Sequence, residues 1–290
     1  MNGMVLINKP QDFTSFDVVA VMRKILGTKK IGHTGTLDPM ATGVLPLMVG
    51  KATRLCDRLP NENKAYKATV QLGLTTDTLD ITGTVLSQTQ SQITRNQVEA
   101  LLPRFTGEQM QVPPMYSAVS VNGVRLYNLA RQGKTVERKA RPIFIEQLTL
   151  LDFCEKTQTF TITVSCSKGT YIRSLIDDMG KALGVGATLT ALCRTHACGF
   201  SLEDCITLEE AKERSPQQLL QPVDKALQGY KAVTVTAAQA ARFQNGGALD
   251  VERLPLSNNA TGMFRVYNPE NTLLGLGQMQ DGQLKIQCHL

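Results

Sequence analysis

The strongest constraint on the fold is the segment GHTGTLDPMATG at residues 32–43. It packs three glycines, a histidine, an aspartate and a proline between a helical stretch and an apolar run. Upstream, Phe16, Val18, Val19, Met22, Ile25 and Leu26 recur near a helical period. Thr14 and Asp17 offer a capping box, and Gly27 a stop. Downstream, residues 44–49 read as a central strand. Glycines permit positive φ and close backbone approach to a ligand. Pro39 pushes Asp38 out of the helical region. A rigid loop presenting a carboxylate at the mouth of a sheet suits a nucleophile or a base. It equally suits a turn in which Asp38 caps backbone amides, and the residues alone leave both readings open.

The rest of the chain predicts a mixed α/β (α+β) fold. Residues 4–8 form a short buried strand, and 65–73 alternate as a strand does. A polar, turn-rich stretch follows at 75–83, where Asp77 and Asp80 read as a solvated turn rather than a cation site. Thr94 and Gln97 cap a helix reaching about residue 104. Strands are expected at 143–153 and 159–166, and helices at 171–183 and 207–227, the last opened by a Thr207/Glu210 box. Beyond 228 the texture changes to short strands with glycine pairs, which places a domain boundary there.

Composition narrows the function classes. The chain has 290 residues, 42% hydrophobic and 19% charged, enough for a large domain with a small one. No apolar run approaches the ~18 residues of a membrane span, and MNGMVLINKPQDF has no secretory pattern, so a cytoplasmic protein is expected. Seven scattered cysteines without a CxxC, and three histidines, predict reduced thiols and no metal site. A net charge of +6 permits nucleic acid as a partner. From Arg125 to Arg141 six charged residues are basic (Arg125, Arg131, Lys134, Arg138, Lys139, Arg141) and one acidic, with Tyr116 and Tyr127 interleaved nearby. Three nucleotide- or acyl-transfer motifs fail. Gly50-Lys51-Ala52 has alanine where a phosphate loop needs Ser or Thr, Gly133-Lys134-Thr135 lacks the upstream glycine, and Ser165–Lys168 has SxxK spacing but lies in a strand pattern.

A second chemical element is GTYIRSL at 169–175, with Tyr171 and Arg173 where a helix begins. A cation at that end opposes the helix dipole, which calls for an anionic partner. Bidentate pairing to Asp38 would keep that carboxylate ionised. The alternative is a surface arginine.

These segments resemble the TruB family of bacterial tRNA pseudouridine-55 synthases over nearly the whole chain. The loop at 32–43 with the following LPL resembles the family's active-site loop. NKPQDFTS at 8–15 is similar to its NKPxGxTS, with Asp12 in place of glycine. KAYKATVQLG resembles its tyrosine motif, and PPMYSA with RLYNLARQG its RNA-facing insertion, with Ser120 where lysine is usual. GTYIRSLIDDMG matches closely, and ALCRTHACGF matches with Cys193 and His196 replacing arginines. The resemblance implies a catalytic domain at 1–228, with the insertion at about 111–141, and a small β-rich PUA-like RNA-binding domain at 229–290. It implies Asp38 as the catalytic aspartate, Tyr66 as the ring stacked on the target base and a candidate for proton transfer, and Arg173 as the partner of the aspartate. Tyr171 and Leu192 are implied as uridine contacts, and His33 as the side chain that enters the T-loop. Lys9 and Pro10 are implied as a structural motif. The basic residues of 125–141 would follow the RNA backbone. No cofactor, metal, membrane or obligate protein partner is expected, and a monomer is expected. Two rivals stand beside this reading: a non-catalytic RNA-binding or RNA-folding protein, and an RNA-guided dyskerin-type synthase. The first does not need Asp38, Tyr66 and Arg173 together. The second usually carries terminal extensions, whereas this sequence starts at its first motif and ends in Lys-Ile-Gln-Cys-His-Leu.

Overall fold

The computed structural model describes residues 1–121, 123–257 and 259–290. The chain divides into two compact units: one of residues 1–38, 44–61 and 198–290, the other of 39–43 and 62–197.

The first unit opens with β1 (Gly3–Lys9), helix α1 (Ser15–Leu26), β2 (Ile31–His33) and β3 (Thr42–Val49). The Thr14/Asp17 capping box is present in full, and Gly27 closes α1 at φ 61°. Such a left-handed cap is the ordinary use of glycine. β2 runs antiparallel to β3, with His33 opposite Leu47, and β1 lies on the other side of β3. Val18, Val19, Met22 and Leu26 pack with Val5, Ile7, Leu45, Leu47 and Val49 into one core. Phe16 departs from the expected apolar stripe and faces solvent.

The second unit contains β4 (Lys64–Leu72), the hairpin β5 (Leu74–Thr76) and β6 (Val85–Gln88), helix α2 (Arg95–Leu101) and β7 (Gly107–Gln111). The insertion holds β8 (Ser120–Val121), β9 (Val124–Arg125) and α3 (Leu126–Ala130). Then follow β10 (Arg141–Cys154), β11 (Thr159–Cys166), α4 (Ile172–Ala182) and β12 (Ala187–Ala197). Its sheet runs β12-β4-β11-β10-β7, antiparallel throughout. α4 buries Ile172, Leu175, Ile176 and Met179 and packs on β12 and β4. Thr42 and Gly43, at the head of β3, pair in parallel with Cys193 and Arg194 of β12. Gly43 has φ 110°, and a Cβ there would fall 2.2 Å from the Arg194 carbonyl oxygen. The glycine that ends the loop is therefore required both by its backbone angle and by the close strand approach.

The chain then returns to the first unit through β13 (Phe200–Ser201), α5 (Leu208–Glu213) and α6 (Pro216–Leu219). The single helix expected at 207–227 is thus broken. Proline restricts the residue before it to extended backbone, and Ser215 sits at φ −68°, ψ 154° before Pro216. Pro222 opens a third short turn at Val223–Leu227. The C-terminal sheet has the order β14-β16-β17-β18-β15, from β14 (Lys231–Thr234), β15 (Leu249–Asp250), β16 (Met263–Tyr267), β17 (Leu273–Gln280) and β18 (Gln283–His289). A helix that the strand-rich texture did not announce, α7 (Ala237–Gln244), carries its own Thr236/Gln239 capping box. Phe243, Phe264, Val266 and Leu284 close a separate core around this sheet.

Candidate active site

Asp38 is half-buried and ends the first segment of the first unit. Its position is set by Ser15, the buried first residue of α1. The Leu37 N–H donates to Ser15 Oγ at 2.8 Å, and that hydroxyl donates back to the Leu37 carbonyl at 3.3 Å. One side chain thereby holds both backbone groups of the residue before Asp38. Leu37 and Met40 are buried on either side. His33 lies at the end of β2, half-buried, and the next residue is tied by Thr34 N–H to the Pro46 carbonyl at 3.2 Å. Cys198 Sγ donates to Thr34 Oγ1 at 3.3 Å. Burial pushes the neighbouring Cys56 thiol up to about 11 and Cys166 to about 11. Both are therefore neutral and unreactive near pH 7.

In the second unit Tyr66 is buried on β4, opposite Val164 of β11 and Arg194 of β12. Leu192 pairs with Ala68, so Tyr66 and Leu192 share one face of the sheet as diagonal neighbours. Tyr171 is the N-terminal cap of α4 and is clasped by the buried Gln111. Its N–H donates to Gln111 Oε1 at 2.8 Å, and Gln111 Nε2 donates to its carbonyl at 3.0 Å. Arg173 is only 4% exposed, which removes the surface-arginine reading. Its guanidinium donates to the Thr78 carbonyl at 3.0 Å and to the Tyr116 carbonyl at 2.8 Å. It also lies 3.6 Å from the Asp80 carboxylate.

Asp80 corrects the reading of a solvated turn. It is 4% exposed, and its Oδ1 accepts from the Thr78 hydroxyl at 2.8 Å, the Thr82 N–H at 3.1 Å and the Thr82 hydroxyl at 2.5 Å. Asp77, by contrast, is exposed and accepts from the Thr84 N–H. Asp80, Gln111 and the fully buried Arg194 are polar residues of this region that pattern reasoning missed. The oddly placed Arg173 was the available signal that a buried anion should exist.

The insertion carries its cations outward. Arg125, Arg131, Lys134, Lys139 and Arg141 are exposed, and Arg138 is half-buried. Arg131 lies over the Tyr127 ring at 5.5 Å, Arg125 donates to the Ala118 carbonyl, and Arg138 to the Pro113 carbonyl at 3.1 Å. Among the described residues, Lys134, Lys139 and Arg141 make no side-chain ion pair or hydrogen bond.

Residues 23–172 match the profile of the TruB family pseudouridylate synthase N-terminal domain. The chain belongs to the TruB family. Residues 173–228 match the tRNA pseudouridylate synthase B C-terminal domain, and 232–287 the C-terminal domain of pseudouridine synthase II TruB. The TruB-family chain is 45% identical over 287 residues to the tRNA pseudouridine synthase B of Clostridium tetani (strain Massachusetts / E88), covering 99% of this chain and 98% of that one. It is 42% identical to the protein of the same name from Clostridium novyi (strain NT), covering 99% of each. A solved structure described as a Cbf5-Nop10-Gar1 complex aligns at TM-score 0.75 and 25% identity, over 99% of this chain and 84% of that one. The TruB fold thus agrees with the mixed sheet expected from sequence.

Proposed function

We propose that the protein isomerises a uridine of tRNA to pseudouridine, at position 55 in the T-loop. The observation that carries this reading is the likeness to tRNA pseudouridine synthases B along almost the whole chain, whose sequence contains Asp38, Tyr66 and Arg173. The reaction breaks the N1–C1′ bond, turns the detached uracil and rejoins it through C5. The C5 proton leaves and N1 gains one, so neither redox change nor net water is involved. Asp38 is assigned as the nucleophile or base, on a loop whose backbone Ser15 clasps. Arg173 supplies a fixed buried cation to the site. Tyr66 stacks on the base and is the candidate for moving the proton. Tyr171 and Leu192 line the uridine pocket, and His33 enters the T-loop. Extruding the base costs a few kcal/mol, which stacking at about 1–3 kcal/mol and backbone contacts offset. Arg125, Arg131, Lys134, Arg138, Lys139 and Arg141 supply those contacts along the T-arm.

On this reading residues 1–228 are the catalytic domain, with the insertion at about 111–141. Residues 229–290 form a PUA-like RNA-binding domain, and the protein works as a cytoplasmic monomer without cofactor. No helix among the described residues is long and apolar enough to cross a membrane.

The test is an unmodified tRNA transcript incubated with the purified protein alone. Pseudouridine is mapped by carbodiimide modification and primer extension, with Asp38→Asn and chelator controls. One new stop at the T-loop uridine, absent with the variant and unaffected by chelator, is expected. Binding without a stop would overturn the assignment in favour of a silent RNA-binding or RNA-guided protein.

A further inference from the structure

We propose that Phe16 and Arg23 form a stacking site for an unpaired nucleotide of the RNA substrate, on the flank of α1 beside the loop that carries Asp38. The inference rests on the RNA-modifying reading above.

Phe16 is 60% exposed. Among the described phenylalanines and tyrosines, only Phe16 and Phe144 stand largely in solvent. The core stripe of α1 is Val18, Val19, Met22 and Leu26. At 3.6 residues per turn Phe16 stands roughly a quarter-turn from that stripe, so packing does not account for its aromatic ring.

Arg23 lies two turns later on the same flank, its guanidinium carbon 5.3 Å from the centre of the Phe16 ring. Its Nε is buried and without a hydrogen-bond partner. Among the described residues the guanidinium makes no other hydrogen bond or ion pair. A cation placed over one ring face leaves the opposite face open. An exposed ring with a guanidinium free to donate is the pairing that binds single-stranded nucleic acid, the ring taking a base and the cation a phosphate.

Charge selects the occupant. Lys24, Lys29 and Lys30 are exposed near the C-terminal end of the same helix. Asp17, next to Phe16 in the sequence, accepts from the Thr14 N–H at 2.8 Å and the Thr14 hydroxyl at 2.6 Å. A polyanion with flat apolar faces fits this surface better than a peptide. Placement supports a role close to the target. Ser15, the residue before Phe16, holds Leu37, the residue before Asp38. A base stacked on Phe16 is therefore referenced to the same rigid element as the loop.

The experiment compares wild type with Phe16→Ala, Phe16→Leu, Phe16→Tyr and Arg23→Ala on an unmodified tRNA transcript. It reads Kd by filter binding at several salt concentrations, kcat/KM for pseudouridine formation, and thermal melting. Phe16→Ala and Phe16→Leu are expected to raise Kd about 10-fold, within the range for one lost stacked base. kcat/KM should fall in parallel, and Phe16→Tyr should restore binding. Arg23→Ala is expected to weaken binding and reduce the salt slope by about 0.7. Binding within two-fold of wild type for both the alanine and leucine variants overturns the proposal. So does a tyrosine variant as weak as alanine, or a loss confined to the saturated rate. Wild-type activity on the same transcript separates the two readings. If wild type neither binds nor isomerises it, the enzyme assignment fails. If wild type is active and the variants bind normally, only the stacking site falls.

Discussion

The Arg173 guanidinium and the Asp80 carboxylate meet 3.6 Å apart in a setting where each side chain is about one-twentieth exposed. Removing Asp80 takes a carboxylate away from a buried cation that keeps its carbonyl contacts, at a cost of about 3 kcal/mol. Asp80→Ala is therefore expected to lower unfolding stability by about that amount in a urea titration and to cut pseudouridine formation at least 100-fold. Asp80→Asn keeps an acceptor for the Thr82 groups and should lose less stability. An Asp80→Ala protein as stable and as active as wild type would show that Arg173 is positioned without the help of Asp80.

Ser15 offers a more selective lever. Its hydroxyl serves both backbone groups of Leu37, and each buried hydrogen bond removed is worth about 1 kcal/mol. Ser15→Ala should lower stability by about 1–2 kcal/mol and kcat about 10-fold, with tRNA affinity changed far less. A drop in melting temperature with kcat intact would separate helix packing from loop positioning.

Asp38→Asn tests the chemistry itself. The substitution keeps the size but removes the charge and replaces one acceptor oxygen with a donor. Turnover should vanish while tRNA Kd stays within a few-fold. Residual turnover near the wild-type rate would remove Asp38 from the role given to it.

Much of this arrangement can be read locally. The Thr14/Asp17 box, the Gly27 stop and the alternation of β4 are short-range signals, and each appears as expected. What escaped depends on distance along the chain. Asp80 sits in a Thr- and Gly-rich turn whose composition reads as solvated, yet it is buried against Arg173, far later in the sequence. Phe16 fits an apolar period, but a period does not say which flank of a helix meets the core. The helix at 207–227 failed for a local reason: Pro216 outweighs the Thr207/Glu210 box that starts it. Leu192 is proposed as a site residue only through family resemblance. The strand carrying it has two register shifts against β4, which blur its alternation.

The exposed cations of the insertion predict a graded salt response. Lys134, Lys139 and Arg141 are not spent on internal ion pairs among the described residues. Each phosphate that a variant no longer neutralises should reduce the slope of log binding constant against log salt by about 0.7–0.9. Substituting all three by alanine is expected to reduce the slope by about 2 and to weaken binding most at low salt. An unchanged slope would move the RNA path off the insertion.

Tyr267 makes the stability of the C-terminal sheet sensitive to alkali. The Tyr267 hydroxyl donates to Asp224, and Arg265 Nη1 donates to that hydroxyl at 3.3 Å. Burial, and then the hydrogen bond to Asp224, push Tyr267 from its ordinary 10.0 up to about 12. The folded state thus holds this proton more tightly than the unfolded chain. Its contribution is fully present below pH 10 and is lost as pH rises from about 10 to 12, because the unfolded chain ionises first. Tyr267→Phe removes the hydroxyl and the titration together. The variant should be less stable than wild type at pH 8 by about 1 kcal/mol, the worth of the hydrogen bond. Because the other tyrosines and the lysines titrate in both proteins, the difference between them isolates Tyr267. Urea titrations from pH 8 to 11.5 should therefore converge as the wild type loses its advantage. A constant gap across that range would mean that Tyr267 ionises equally in both states.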